Sequence, residues 1–313
     1  MKTALSIFYI LLCFTSRSQS TSIDSIITRA SLEFTISALA NDSMKGRFTA
    51  MPETKNAANF IASRFESAGL HTLADNDKFF DYYPLKFQKN DVISRVQAIN
   101  VLGAIPGIES PDTVVIFCAH YDHIGVKNMV LKNDQDSVYN GANDNASGVA
   151  LLVELAKYYA AIKANRYTLV FIAFSGEELG LLGSAYTASH MDQSFVHAVI
   201  NFDMVGRPIN QWTKNCMVIV EDEKTVKPIL KKLNDQIFPQ KGFFIGDMFP
   251  FESFFTRSDQ YSFKKVKNRT FFTSGASGDK YYHTVDDEFN TIDFDFLLLT
   301  TKNIALGCKM FLQ

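Results

Sequence analysis

Five short islands of metal-binding residue types are scattered through this chain: His120-Tyr121-Asp122, Asn143-Asp144-Asn145, Glu177-Glu178, Asp203 and His283. Zinc accepts imidazole nitrogen and carboxylate oxygen, and a catalytic site keeps one position open for water. Two His and several carboxylates brought together by folding suit a pair of divalent ions held about 3.5–4 Å apart. Ions that close repel, so an anion must bridge them, and a short carboxylate in a rigid loop fits that role. Asp144 is such a group, inside Gly141-Ala142-Asn143-Asp144-Asn145-Ala146-Ser147-Gly148. The adjacent Glu177 and Glu178 also repel each other, and they follow an apolar run where cations would relieve them. One Glu can ligate while the other accepts a proton from activated water. In His120-Tyr121-Asp122 the Asp can orient the His ring as an outer acceptor. His123 comes next, but alternation in an extended chain sends it to the side opposite Asp122. Each island alone has a plainer reading. Asp and Asn favour helix N-caps, and an acidic pair favours a helix start. The five together point to a two-metal hydrolase.

These groups need elements to carry them. Val114–Ala119, Leu169–Phe174 and Ala198–Phe202 are continuous apolar runs, the pattern of strands covered on both faces. Met217–Val220 and Thr270–Phe272 are weaker candidates. Between the first two runs, Ala146–Ala164 places Val149, Leu152, Val153, Leu155, Ala156 and Tyr159 at helical spacing. Gly180–His190 and Phe294–Leu312 are further helix candidates, and residues 22–68 read as mostly helical, with Gly69 a fitting stop. His71–Val92 reads as irregular, polar and aromatic. Strands alternating with helices predict an α/β sandwich around a largely parallel sheet. In such sheets ligands bind beyond the carboxyl ends of the strands. His120 and Asp122 follow the first run, Glu177 and Glu178 the second, and Asp203 ends the third.

The bulk composition adds bounds. The chain has 313 residues, 47% of them hydrophobic, enough for a sizeable core. A net charge of −2 suggests no nucleic-acid partner and no polybasic membrane contact. Lys2, the apolar run Ala4–Phe14 and the small polar residues Thr15–Ser20 have the layout of a secretory signal peptide. Residues 1–20 are therefore expected to be a leader cleaved near Ser18–Ser20, with an N-terminal anchor as the alternative. Residues 21–313 would form a single domain without a large insertion, secreted or periplasmic. No later segment is apolar and long enough to cross a bilayer. Beyond the leader remain Cys118, Cys216 and Cys308, so at most one disulfide can form, and Cys216–Cys308 is conceivable.

In order and combination the islands resemble the M28 zinc peptidases of the bacterial leucyl-aminopeptidase type. The matching stretches are Ala119–His123, Gly141–Ala150, Ser175–Ser184, Asn201–Gly206 and His283-Thr284, with Leu39–Arg47 similar to the family's entry segment. The resemblance covers about Ser31 to Leu312. It implies a three-layer αβα sandwich with a mixed, largely parallel central sheet. It implies two Zn2+ ions, with His120 and Asp203 on one, Glu178 and His283 on the other, and Asp144 bridging. Glu177 would be the general base and Asp122 would orient His120. The expected activity is hydroxide-mediated removal of N-terminal residues from a peptide substrate.

One stretch departs from the family. Many members carry Ser-Asp-His where this chain has Ser258-Asp259-Gln260, and Gln260 cannot replace His as an acid or base. Tyr261 is the candidate substrate-binding donor in its place. Phe243, Phe244, Phe249, Phe251, Phe254 and Phe255 precede it and either line an apolar pocket or pack as core or lid. Two rival readings stand beside the aminopeptidase. A glutaminyl cyclase uses the same fold with a single zinc. A binding domain without catalysis would have lost ligands or base, and none is lost here.

Overall fold

The apolar runs become the centre of an eight-stranded mixed sheet. A computed structural model describes residues 22–73, 79–89, 92–127, 136–208, 214–237, 242–249, 252–275 and 278–312. The expected leader, residues 1–20, and Phe251 lie outside the described residues. Strands β1 (Phe80–Lys89), β2 (Val92–Ile105) and β3 (Ser110–His120) open the sheet. A two-stranded ribbon, β4 (Gly125–Val126) with β5 (Val138–Tyr139), stands apart. β6 (Tyr167–Phe174), β7 (Val196–Phe202), β8 (Cys216–Val220), β9 (Phe244–Ile245) and β10 (Asn268–Thr273) complete the set. The order across the main sheet is β1-β2-β6-β3-β7-β10-β8-β9. The inner four, β6, β3, β7 and β10, are mutually parallel, while β1–β2, β2–β6 and β10–β8 pair antiparallel.

Alternation along the inner strands divides the core between two faces. Val115, Phe117 and Ala119 of β3 join Leu169, Phe171 and Ala173 of β6 on one face, and Ile116, Cys118, Val170 and Ile172 turn to the other. The first face is covered by α1 (Ile23–Ile26), α2 (Arg29–Leu39), α3 (Thr54–Ser67), α4 (Gly148–Ile162), α6 (Glu223–Gln236) and α7 (Phe294–Gly307). The second is covered by α5 (Leu182–His190) and the segment containing Phe263 and Val266. Phe117 anchors the first face by stacking against Phe171 at 5.3 Å and Tyr159 at 5.5 Å between ring centroids. The result is the expected αβα sandwich. Among the described residues no helix is long and apolar enough to cross a membrane.

The structure corrects or adds to the sequence reading in three places. Residues 80–89, expected to be irregular, form β1, whose ten residues pair antiparallel with β2. Helix α6, with Pro228 inside it, and the short β9 were not foreseen. Cys118, Cys216 and Cys308 are all buried and free, so Cys216 and Cys308 do not form a disulfide.

Candidate metal centre

The parallel strands deliver three of the five islands to one edge of the sheet. His120 is the last residue of β3, and Asp203 follows β7 directly. Glu177 and Glu178 follow β6 after Ser175-Gly176, where Gly176 has φ +73°. A Cβ on Gly176 would come 2.6 Å from the Tyr83 hydroxyl, which donates to Ser175 O. Asp144 sits in the tight turn Ala142–Ser147 ahead of α4. Its neighbours act as braces: Asn145 Nδ2 donates to Phe202 O at 2.9 Å, and Asn143 Oδ1 accepts from Gly206 N at 2.7 Å. His283 lies in the chain between β10 and α7, its ring stacked on Tyr282 at 3.8 Å.

All five islands meet. His120 Nε2 lies 3.3 Å from Asp144 Oδ1 and 3.5 Å from Asp203 Oδ1. His283 Nε2 lies 3.2 Å from Asp144 Oδ2 and 3.4 Å from Glu178 Oε2. Asp144 thus turns one oxygen to each half of the site. Ligands bonded at about 2.0–2.1 Å in a tetrahedron are separated by about 3.3 Å along each edge, and these histidine–carboxylate separations match that spacing in both halves. His120, Asp144 and Asp203 form one group able to hold an ion, and His123, Asp144 and Glu178 form a second. Glu177 Oε2 stands 4.0 Å from His120 Nε2.

The charge balance calls for cations. The side chains of Asp144, Glu177, Glu178 and Asp203 are only 4, 12, 10 and 13% exposed. In the protein alone, burial works against an ionised Glu177, and nearby Asp203 adds to it, so its carboxyl is pushed well above the usual range. Burial likewise opposes a charged His120, yet Glu177 and Asp203 overcome it and raise the imidazole well above its ordinary value. Burial disfavours the Asp144 carboxylate too, but His120, His123 and His283 hold it well below the ordinary range.

Surrounding groups fix the donors. Ser258 Oγ donates to Asp203 Oδ2 at 2.8 Å, which leaves Oδ1 facing His120. The nearest acceptor to His120 Nδ1 is the carbonyl oxygen of Asp122 at 3.2 Å, with its carboxylate Oδ1 at 3.7 Å. That carboxylate also accepts from Thr49 Oγ1 and from Glu177 N, tying the β3 end to the Glu177 turn. Asp287, fully buried, accepts from the backbone N–H groups of Asn143 and Asp144. Arg207 donates to both Asp287 and Asp279, so one guanidinium links the segments carrying Asp203, Asp144 and His283.

Two expectations about the surroundings change. His123 is not turned away: its Nδ1 lies 2.8 Å from Glu178 Oε1. The chain leaves the strand at His120, so strand alternation no longer governs residue 123. Tyr261 does not line the cavity over the donors, whose walls include Met204, Phe254, Arg257, Phe271, Thr273, Tyr282 and His283. It lines a neighbouring cavity of about 610 Å³ and packs near Phe255. Gln260 is a buried brace, accepting from Asn201 Nδ2 and donating to Phe255 O. Phe243 and Phe244 are core residues, while Phe254 forms part of both cavities. Asp287, Arg207 and Arg47 were missed because a lone charged residue carries no sign of its partners, although Arg47 fell inside a stretch already singled out.

An αβα sandwich with a histidine–carboxylate cluster at the carboxyl edge of its parallel strands defines a metallohydrolase-like class of protein. Residues 100–306 match the model of Peptidase family M28, and the chain belongs to that family. A "Probable zinc metalloprotease" of Pyrenophora teres f. teres is 33% identical over 191 residues, covering 58% of this chain and 39% of the relative. The match therefore spans well under half of that relative's length. Among solved structures, an aminopeptidase from Aneurinibacillus sp. strain AM-1 superposes with a TM-score of 0.68 at 15% identity, covering 92% of this chain and 95% of the other. A Porphyromonas gingivalis glutaminyl cyclase gives 0.69 at 15% identity, covering 91% and 99%. At such identities these two likenesses speak to fold.

Proposed function

We propose that this protein is an exported, zinc-dependent aminopeptidase that removes N-terminal residues from peptides at a centre of two ions. The observation that carries this reading is Asp144, whose two oxygens face two separate donor groups at tetrahedral-edge spacing. His120 and Asp203 would hold one ion, Glu178 and His283 would hold the other, and Asp144 would offer one oxygen to each. Bound there, the ions supply Lewis acidity and a water of lowered pKa. Glu177 is the general base. It is the one carboxylate of the cluster outside both donor groups, and burial raises its affinity for a proton. It takes the proton from the attacking water and passes it to the departing amine. Asp122 keeps Glu177 and His120 in register through its carboxylate and its carbonyl. The carboxylates attract the substrate's terminal ammonium, and the wall of Met204, Phe254, Phe271 and Tyr282 receives an apolar first side chain. Residues 1–20 act as the export signal for a single domain of residues 21–313.

The second reading, a single-zinc glutaminyl cyclase, shares the fold. Two sets of donors sharing Asp144, one with His120 and Asp203 and one with Glu178 and His283, favour the hydrolase. Metal analysis joined to a peptide panel tests both. We expect two zinc ions per chain and release of the first residue from free, but not blocked, N-termini. One zinc with cyclisation of a Gln-initiated peptide would assign the cyclase. Cleavage of blocked peptides would assign an endopeptidase.

A further inference from the structure

His123 is wholly buried and stands with Asp144 and Glu178 in the second group able to hold an ion, yet the reading above gives it no task. Its Nδ1 lies 2.8 Å from Glu178 Oε1 and 3.8 Å from Asp144 Oδ2. The first distance differs in kind from its neighbours. The contacts of His120 Nε2 and His283 Nε2 with the carboxylates of Asp144, Asp203 and Glu178 run from 3.2 to 3.5 Å, the spacing of two ligands on one tetrahedral ion. Two atoms 2.8 Å apart would subtend only about 86° at an ion bonded to each at about 2.05 Å, well short of the tetrahedral angle. That separation is the length of a direct hydrogen bond.

The rest of the ring agrees. Nε2 is buried and has no hydrogen-bond partner among the described residues. A neutral imidazole carries one N–H and one bare nitrogen. With the proton on Nδ1, the ring gives Glu178 its donor and leaves only a bare acceptor in the dry side. The neighbouring loop is shaped around it: Gly141 has φ +56°, and a Cβ there would come 2.6 Å from His123 Cδ2. The backbone N–H of His123 donates to Arg47 O, which fixes where the ring begins.

We infer that His123 is a positioning residue whose Nδ1–H holds Glu178 Oε1, so that Oε2 is presented toward His283 and the second ion. The inference rests on the two-ion reading. It also explains why Glu178 and Glu177, adjacent in sequence, differ: one is pinned by an imidazole, and the other is left free to exchange protons. Outer groups that orient a metal ligand typically change metal affinity about 10–100-fold when removed.

The test uses chelator-stripped full chain titrated with zinc by calorimetry, with cobalt absorption as a second readout. H123F keeps the ring's bulk without the N–H. H123N restores an N–H near the Nδ1 position. Wild type should take two ions. H123F should lose about tenfold or more in affinity for the second ion, with the first within about twofold of wild type. H123N should recover most of the loss, and circular dichroism of the stripped proteins reports folding. Two ions bound by H123F with wild-type affinities would overturn the inference while leaving the two-ion reading intact. Failure of H123N to rescue, with one more nitrogen per chain in the X-ray absorption of wild type than of H123F, would make His123 a ligand and overturn it too. One ion in wild type would instead sink the two-ion reading beneath it.

Discussion

At the scale of residues, the site separates groups that hold from groups that react. Glu177 stands 4.0 Å from His120 and belongs to neither donor group. Gln at this position keeps the shape and loses the basicity. E177Q should therefore retain the wild-type zinc content while kcat falls at least about a hundredfold. Zinc analysis paired with steady-state rates checks both halves, and a near-normal rate would remove Glu177 from its role. Asp259 gives a second prediction, on pH. It is fully buried, and among the described residues neither carboxylate oxygen has a hydrogen-bond partner at ordinary distance. Burial pushes its carboxyl from the ordinary 3.8 up to about 7. Between those values the unfolded chain has released a proton that the folded chain keeps. Unfolding then releases a proton, so this group's contribution is greatest below about pH 4 and is lost as pH rises to about 7. D259N abolishes that dependence. In zinc-free protein, the melting temperature of wild type relative to D259N should be higher at pH 4.5 than at pH 7.5. A difference that stays flat over this range would place the titration of Asp259 elsewhere.

At the scale of elements, the chain uses buried cations to fasten loops that no strand or helix can hold. Arg47 has φ +47° and is wholly buried. It donates to the carbonyls of Tyr121 at 2.7 Å, Leu39 at 2.7 Å, Asn140 at 2.6 Å and Gly141 at 2.9 Å. It therefore joins the end of α2, the turn after β3 and the turn before α4. Burial lowers its pKa to about 10, far above neutrality, so the charge persists. R47M would strand these carbonyls, each at a cost of about 1–3 kcal/mol before relaxation. We expect a net loss of about 3–5 kcal/mol in urea unfolding, with R47K recovering part of it. The elements also explain what could be read in advance. β3, β6 and β7 are covered on both faces, so they appear as unbroken apolar runs, and the groups after them were legible as site candidates. β1 mixes buried Tyr83 and Leu85 with Asp81 and Lys86, and only its pairing with β2 makes it a strand. In α6 the interior Pro228 and the many Lys residues mask a helical face on which Leu233 is buried. His123 was misplaced because the strand ends three residues earlier.

At the scale of the whole molecule, the donors come from five places far apart in sequence and from no single element. β3, the turn before α4, the turn after β6, the end of β7 and the segment before α7 each contribute. Without cations, four nearly buried carboxylates face one another there, offset among the described residues by imidazoles and by Arg257 in the cavity wall. Metal binding should then act as a cross-link on the folded state and be absent from the unfolded chain. An ion present at about a hundred times its Kd stabilises by about 2.7 kcal/mol, and two ions by about twice that. For a domain near this size, each kcal/mol moves Tm by about 2–4 °C. Removing zinc with a strong chelator should lower Tm by about 10–20 °C, and adding zinc back should restore it. Hydrogen exchange should localise the effect: protection falls around residues 120–123, 141–147 and 278–288, while the β1–β2 hairpin at the sheet edge changes little. A melting temperature indifferent to chelator and zinc would mean that these side chains meet without holding ions, and the hydrolytic reading would lose its chemistry.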